Sequence, residues 1–193
     1  MGHSTYANRG QSFENFIGFA NRIYRRKGIA MIEKQYVEML PIRNGYGKVI
    51  SCKIGEKSTV DYIGRYGSYP VAMEAKNTNQ DTIRWDAVQE HQAEFLDSWC
   101  QQPGTIGLVL VSFNLEHFYA IPWTFWGAAY DLRVRRRDRT ASKRVCAFGE
   151  EWDIPQKNSA REEDLSPLWR IPDHDHSYGL NYLQNAEKYI ISV

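Results

Sequence analysis

The sequence has few cysteines and no long hydrophobic run. Its three cysteines, Cys52, Cys100 and Cys146, lie far apart, so neither a disulfide framework nor a paired-cysteine zinc site is indicated. No apolar stretch approaches the length that crosses a bilayer, and the polar start lacks the apolar centre of a signal peptide. We therefore expect a cytoplasmic protein in a reducing environment, without a membrane partner.

The sequence also lacks a large net charge of either sign. Lys and Arg number 24 and Asp and Glu number 23, which gives a formal net charge of +1. This balance does not exclude a nucleic-acid partner, because the distribution of charge matters more than its sum. The distribution is uneven: basic side chains crowd residues 133–144, and acidic ones follow in residues 150–164. The basic run fits a solvated loop and a DNA-facing strip equally well.

A chain of 193 residues fits one domain, and no internal repeat divides it. The predicted elements are a helix over 10–27, a strand over 29–37, a hairpin over 38–57, paired strands over 58–64 and 69–77, a helix over 86–100 with Asp86 as its N-cap, strands over 107–113 and 117–123, and a terminal helix over 180–190. This order predicts an α/β fold with a mixed central β-sheet flanked by helices. Beyond Trp126 the pattern weakens, and the charged segment 127–176 carries no clear prediction.

The predicted strand VAMEAK, residues 71–76, places two opposite charges on one of its faces. Alternation along a strand puts Glu74 and Lys76 on one side and Val71 and Met73 on the other. The spacing Glu-x-Lys occurs by chance in a chain of this composition, so it decides nothing alone. A solvated surface pair, a buried structural pair and a catalytic site all remain open.

The neighbouring elements give this pair a context. Asp61 precedes it on the partner strand, and Gln92 lies on the apolar face of the following helix. Two carboxylates within reach repel each other, and a hard divalent cation is the simplest compensation. A nearby lysine would then stabilise charge or orient water in a phosphate reaction. The set therefore indicates a phosphodiesterase site.

Four motifs in order, NRGQSFE, STVDYIG, AMEAKNT and VQEHQ, closely resemble the RecU-type Holliday-junction resolvases (the penicillin-binding protein-related factor A family). These belong to the PD-(D/E)xK nuclease superfamily, and the resemblance spans residues 8–126. It implies a restriction-endonuclease-like fold in a single nuclease domain, with the hairpin as a projecting stalk that inserts at the centre of a four-way junction. It also implies magnesium-dependent cleavage of junction DNA by paired nicks. Val60 departs from the pattern, since it stands where the superfamily name has Pro.

The resemblance also implies roles for single residues. Asp61, Glu74 and the backbone carbonyl of Ala75 would ligate Mg²⁺, which Mn²⁺ could replace, and Lys76 would hold the attacking water or stabilise the phosphorus centre. Glu14 would be an additional acidic ligand. Gln92 would support the catalytic set. The residues implied to contact DNA are Asn8, Arg9, Arg43, Lys48, Lys53, Lys57, Thr59 and His91.

The implied partners follow from the substrate. A four-way junction has near two-fold symmetry and needs two symmetric cuts, which favours a C2 homodimer with one active site per subunit. Recombination or branch-migration proteins would be further partners, in the cytoplasm of a bacterium or of a phage-infected host. Two other functions stay open. They are a nuclease that acts on flap, branched or linear duplex DNA, and a non-catalytic DNA-binding recombination protein.

Simpler structural roles compete with each of these assignments. Asp61 could cap a turn, Glu14 could interact with a helix dipole, and Gln92 could be a buried amide bonded to backbone. Cations on an exposed hairpin can simply keep a strand edge soluble.

Overall fold

The computed structural model describes residues 6–55, 59–147, 150–172 and 179–184, with side chains from residue 12 onward. The helices in these parts are α1 (Tyr6–Arg26), α2 (Glu90–Cys100) and α3 (Trp123–Tyr130). The strands are β1 (Ala30–Lys34), β2 (Met39–Arg43), β3 (Val49–Ile54), β4 (Tyr62–Tyr66), β5 (Tyr69–Thr78), β6 (Thr82–Arg84), β7 (Ile106–Phe113), β8 (His117–Pro122), β9 (Arg144–Ala147), β10 (Glu150–Asp153), β11 (Ser159–Arg161) and β12 (Arg170–Ile171). Of the described helices, none is long and apolar enough to cross a membrane.

Six strands form the central sheet in the order β1-β4-β5-β7-β8-β12. Its neighbours pair antiparallel except β5 and β7, which run parallel and are connected through β6 and α2. Every residue of β7 is buried, because apolar clusters cover both faces of the sheet. The predicted α/β fold class, with a mixed central sheet and flanking helices, is confirmed.

The two faces of the sheet bury different apolar clusters. Alternation along β5 sends Val71 and Met73 into the cluster that contains the buried side of α1. Ala72 points into the other cluster, which α2 and α3 cover and which holds the fully buried Trp85 and Trp126. Glu74 follows Ala72 on that same side, so its carboxyl lies among residues that α2 presents.

The predicted stalk is a separate two-stranded ribbon of β2 and β3. All six residues of β3 are exposed, as expected for a hairpin that projects from the core. The side-chain oxygen of Asn44 accepts hydrogen bonds from the backbone N–H groups of Tyr46 and Lys48, each 3.0 Å long. These bonds fix the tip and leave the Tyr46 ring 97% exposed.

Helix α2 begins at Glu90, so the predicted start at Asp86 is wrong. The Asp86 carboxylate instead accepts two hydrogen bonds from Arg84, at 2.8 and 2.5 Å, within a 3₁₀ turn. Gln89 is the actual N-cap and forms a reciprocal capping box with Gln92. The predicted strands over 29–37 and 58–64 begin or end elsewhere too, and Asp61 lies directly before β4 rather than within it.

The chain end differs from the prediction as well. Within the predicted helix over 180–190, residues 180–184 form a bend and a turn, and the remainder lies outside the described residues.

The segment 127–176 is built into the fold throughout its described part. The hairpin of β9 and β10 packs beside α3, β11 pairs with β6, and β12 extends the central sheet next to β8. Trp169, in a 3₁₀ turn over Pro167–Trp169, is 1% exposed. Within this segment, residues 136–143 of the basic run have neither helix nor strand and are mostly exposed, as expected for a solvated loop. The elements of segment 127–176 are only two to eight residues long, which is too short for a periodic pattern.

Gly64 lies where β4 passes closest to β1. A Cβ at this position would lie 2.1 Å from the Met31 carbonyl oxygen and 2.5 Å from the Ile32 Cα. We expect Gly64→Ala to lower the free energy of unfolding by about 1–3 kcal/mol, because backbone atoms would have to move. Gly45→Ala is the control, since nothing lies within 4 Å of its Cβ position. Equal denaturation midpoints for the two variants would contradict the close approach.

Candidate active site

The charged pair of the VAMEAK strand forms a buried ion pair. The Lys76 Nζ lies 2.6 Å from the Glu74 Oε1, and the two side chains are 20% and 1% exposed. A solvated surface pair is therefore excluded. The partial exposure of Lys76 matters, because its ammonium can reach a molecule in solvent while Glu74 holds it in place.

Gln92 binds both members of this pair. Its Nε2 donates to the Glu74 Oε1 at 2.8 Å, and its Oε1 accepts from the Lys76 Nζ at 3.4 Å. The same Oε1 accepts from the backbone N–H of Gln89 at 2.9 Å, which is part of the helix cap. Gln92 thus links the N-terminus of α2 to the charged pair by hydrogen bonds. It is placed to position the Glu74 and Lys76 side chains.

Asp61 is linked to Glu74 and to the adjacent Ala75 by two hydrogen bonds, in each of which a carboxylate accepts from a backbone N–H group. The Asp61 N–H donates to the Glu74 Oε2 at 3.2 Å, and the Ala75 N–H donates to the Asp61 Oδ2 at 3.0 Å. The Gln35 N–H holds the Asp61 carbonyl at 2.7 Å, just beyond β1. Three of the predicted catalytic side chains, Asp61, Glu74 and Lys76, therefore meet where β4 and β5 adjoin.

Burial raises the pKa of Glu74 to about 7. Lys76 opposes that rise in pKa, whereas the neighbouring Asp61 carboxylate adds to it. Removal from water disfavours the ionised form, and one ammonium does not fully compensate two carboxylates. The site is therefore short of positive charge.

The donor set fits a small hard cation. Asp61 and Glu74 offer carboxylate oxygens, and the peptide of Ala75 lies beside Asp61. Mg²⁺ prefers oxygen ligands, keeps several waters and needs only one or two carboxylates together with substrate phosphate. In the described parts of the chain, no group of three or more His, Cys, Asp or Glu side chains could hold a metal ion. The two carboxylates would thus hold the ion in concert with waters and substrate.

Glu14 does not contact the other two carboxylates. Its Oε2 lies 2.6 Å from the Lys34 Nζ, at the edge of a cavity on the α1 side. Tyr62, which lines the same cavity and directly follows Asp61, was missed by the sequence analysis. Its buried hydroxyl has no hydrogen-bond partner among the described residues. Burial raises the pKa of Tyr62, and the Glu14, Asp61 and Glu74 carboxylates raise it further.

The residues predicted to bind DNA fall in three places. Arg43, Lys48 and Lys53 are exposed on the hairpin, where the Arg43 Nη1 also donates to the Gly47 carbonyl at 2.9 Å. Thr59 is exposed two residues before Asp61, and His91 is half-buried next to Gln92. The backbone of Asn8 and Arg9 belongs to α1, but their side chains lie outside the described part, as does all of Lys57.

Comparisons with known proteins show which family the chain belongs to. The sequence profile of the RecU family, described as Recombination protein U, matches residues 8–146, which is 20 residues farther than the resemblance over 8–126. The Holliday junction resolvase RecU of Streptococcus pneumoniae (strain Taiwan19F-14) is 32% identical over 133 residues, which are 66% of this chain and 64% of that protein. The protein of the same name from Streptococcus sanguinis (strain SK36) is 28% identical over 156 residues, 78% of this chain and 76% of that protein.

A solved structure, that of the Holliday junction resolvase Hjc from Archaeoglobus fulgidus, is similar with a TM-score of 0.37 and 10% identity. That likeness covers 78% of this chain and 86% of Hjc. The chain spans a little under two thirds of the length of the first of the curated relatives, at 64%. Because the family profile matches well over half of its residues, the chain belongs to the Recombination protein U (RecU) family.

Proposed function

We propose that this chain is a metal-dependent endonuclease that resolves four-way DNA junctions by paired nicks. The observation that carries the proposal is the buried Glu74, which Lys76 and Gln92 contact from one side while Asp61 adjoins it from the other. A protein that only bound DNA would have no use for two adjacent carboxylates that repel phosphate. Membership of a family whose relatives carry the name Holliday junction resolvase supports the choice of substrate.

The residues present divide the chemistry among them. A magnesium ion held by Asp61, Glu74 and the Ala75 carbonyl would lower the pKa of water and offset charge on the phosphate. Lys76 presents a fixed ammonium that can hold the attacking water or stabilise charge on the phosphate oxygens. Water attacks phosphorus in line and loses a proton, the P–O3′ bond breaks, and the O3′ takes up a proton, so that the cut leaves a 5′-phosphate and a 3′-hydroxyl. Gln92 is hydrogen-bonded to both the Lys76 ammonium and the Glu74 carboxylate and would fix their positions relative to each other.

We further infer that the whole chain works as one nuclease domain in a C2 homodimer, since two symmetric cuts need two sites. The stalk of β2 and β3 would enter the centre of the junction between the two subunits. Its bonded tip and exposed strands support that role, because a rigid, solvent-surrounded ribbon can enter a gap between duplex arms.

Competition between substrates tests the proposed specificity. Labelled four-way junction is cleaved in magnesium while unlabelled linear duplex or flap DNA is added in excess. We expect the junction to be preferred by orders of magnitude. Equal competition by linear duplex would show a nuclease of broader substrate range, and magnesium-stimulated binding without any cleavage would show a binding protein.

The hairpin cations supply a separate prediction. Lys48→Gln combined with Lys53→Gln should weaken junction binding and lower the slope of log K against log salt by about 1 to 2, since each phosphate contact contributes close to one unit. Both lysines are exposed, so the fold should not change. Lys27→Gln combined with Lys157→Gln, which alters exposed lysines elsewhere, is the control. Equal salt slopes for the two double variants would show that the hairpin does not contact phosphate.

A further inference from the structure

A cavity of about 540 Å³ lies on the side of the molecule that the arginine run builds. The residues that line it are Arg84, Asp86, Arg133, Val134, Arg137, Arg139 and Asn158. Four arginines and one aspartate thus line it, although the whole chain is almost neutral, and Arg84 is the arginine that pairs with that aspartate. These residues come from β6, from the 3₁₀ turn before α2, from the segment after α3, and from the connection between β10 and β11. The cavity is therefore formed by several parts of the fold and not by one charged loop.

Arg133 carries a buried charge, and the nearby Asp138 carboxylate interacts with it electrostatically. Only 4% of it is exposed, and its guanidinium donates to the backbone carbonyls of Pro155, Asp138 and Ala141 at 2.8, 2.5 and 2.9 Å. Those carbonyls satisfy its hydrogen bonds but supply no negative charge. In the described part of the chain it makes no salt bridge. Because a buried charge without a direct ion pair is unfavourable, an anion in the cavity would stabilise it.

The carboxylate of Asp138 is engaged by its own loop. It accepts hydrogen bonds from the Thr140 N–H at 2.8 Å, the Thr140 hydroxyl at 3.0 Å and the Ala141 N–H at 2.9 Å. These bonds lower the pKa of Asp138. The two flanking arginines, Arg137 and Arg139, are exposed and have no carboxylate partner among the described residues. Their charges therefore remain available to a ligand.

The backbone holds Arg137 in an unusual conformation. Its φ is 53°, in the left-handed region that a residue with a Cβ seldom adopts. The Asp138 N–H donates to the Leu132 carbonyl at 2.8 Å, and this bond closes the turn around Arg137. Such conformations persist where the surrounding structure enforces them, and they cluster at ligand sites. Here the turn brings Arg137 to the lining of the cavity.

We propose that this cavity is a phosphate-binding site, separate from the nuclease centre, and that its ligand is a backbone phosphate of a DNA duplex arm. The choice of DNA rests on the proposed function, whereas the preference for phosphate rests on the guanidinium groups alone. Planar guanidinium donors match phosphate oxygens, and several of them converge here. The site would hold an arm that leaves the junction, apart from the hairpin.

Binding of a cleavage-deficient chain tests the site. In an Asp61→Asn background without divalent metal, Arg137→Gln combined with Arg139→Gln should weaken junction binding about tenfold and lower the salt slope by about one. Arg136→Gln is the matched control from the same run. Arg136 pairs with Asp131 at 2.9 Å and does not line the cavity, so its effect should stay under about twofold. Arg133 is not varied, because its loss would damage the fold.

The results separate this site from the nuclease proposal. If junction binds the Asp61→Asn chain, the double variant keeps the same affinity and salt slope, and inorganic phosphate stabilises the double variant and the control equally, the cavity site is overturned and the nuclease proposal stands. If inorganic phosphate at constant ionic strength raises the melting temperature of the control but not of the double variant, the phosphate chemistry is supported. If phosphate raises the melting temperature of the control only, while the double variant binds junction as tightly as the control, the DNA assignment is overturned in favour of a small phosphate ligand.

Discussion

Asp61→Asn and Lys76→Ala should each nick a synthetic four-way junction in magnesium at least about a hundredfold more slowly than the unmodified chain, because the first removes a proposed metal ligand and the second a cation aimed at the reacting phosphate. Asp61 lies beside Glu74, and Lys76 supplies the only ammonium that contacts Glu74 among the described residues. Rates are measured by strand cleavage at saturating enzyme, so that weaker binding does not mimic slower chemistry.

Two surface variants control for general effects of lost charge. Asp153→Asn removes a carboxylate that pairs with Arg144 on the exposed hairpin of β9 and β10, and Lys143→Ala removes an exposed lysine. Both should cleave at nearly the unmodified rate. Because Asp61→Asn keeps an oxygen that can accept from the Ala75 N–H, it should fold normally and still bind junction. Nicking by the two active-site variants at the control rate would mean that this site is not the nuclease centre.

Glu74→Gln should make the metal-free chain more stable at alkaline pH. The pKa of Glu74 rises from 4.5 to about 7 in the folded chain, chiefly through burial. Between these values the folded state keeps a proton that the unfolded state releases. The free energy of unfolding therefore falls as pH rises through this window, and the loss is complete above pH 7. Glutamine cannot ionise, so the variant escapes this loss.

The size of this effect follows from the shift in pKa. The variant's advantage should be near zero below pH 4.5 and grow to about 3 kcal/mol by about pH 8, since each pKa unit corresponds to about 1.4 kcal/mol. Denaturant titrations across this pH range measure it. Glu151→Gln, which alters an exposed carboxylate, is the control. A pH-independent difference for Glu74→Gln would contradict the burial account.

Added magnesium gives the same experiment a second readout. At pH 8 the ion should raise the stability of the unmodified chain, because it supplies the positive charge that the two carboxylates lack. Glu74→Gln should show little of this stabilisation. Protonation of Glu74 competes with metal, so the stabilisation should shrink below pH 7.

The proximity of Asp61, Glu74 and Lys76 was largely predictable from sequence because their geometry is local. Alternation along β5 fixes Glu74 and Lys76 on one face, and a tight antiparallel pair brings the residue before β4 to the same place. The apolar face of α2 carries Gln92 toward the sheet. The start of α2 was predicted wrongly, since Asp86 is a good capping residue whose side chain is taken by Arg84. Residue type alone could not show whether the Asp86 carboxylate would cap the helix or pair with Arg84.

Long-range packing was not predictable. Arg133 belongs to a charged run, yet it is buried because carbonyls from residues 138–155 surround its guanidinium. The spacing of apolar residues in the sequence does not predict such a contact. Likewise β12 is two residues long and is defined only by its pairing with β8. Glu14 lies on the expected edge of α1, but its pairing with Lys34 depends on how α1 crosses the sheet.

Cleavage of a four-way junction by the unmodified chain, with magnesium and with a chelator instead, tests the central claim most directly. Both ends of each strand are labelled, so that the positions of the cuts are mapped. We predict paired nicks at symmetric positions in two opposing strands, present in magnesium and absent with the chelator. No cleavage in magnesium, or cleavage that the chelator leaves unchanged, would contradict a metal-dependent junction nuclease built on Asp61, Glu74 and Lys76.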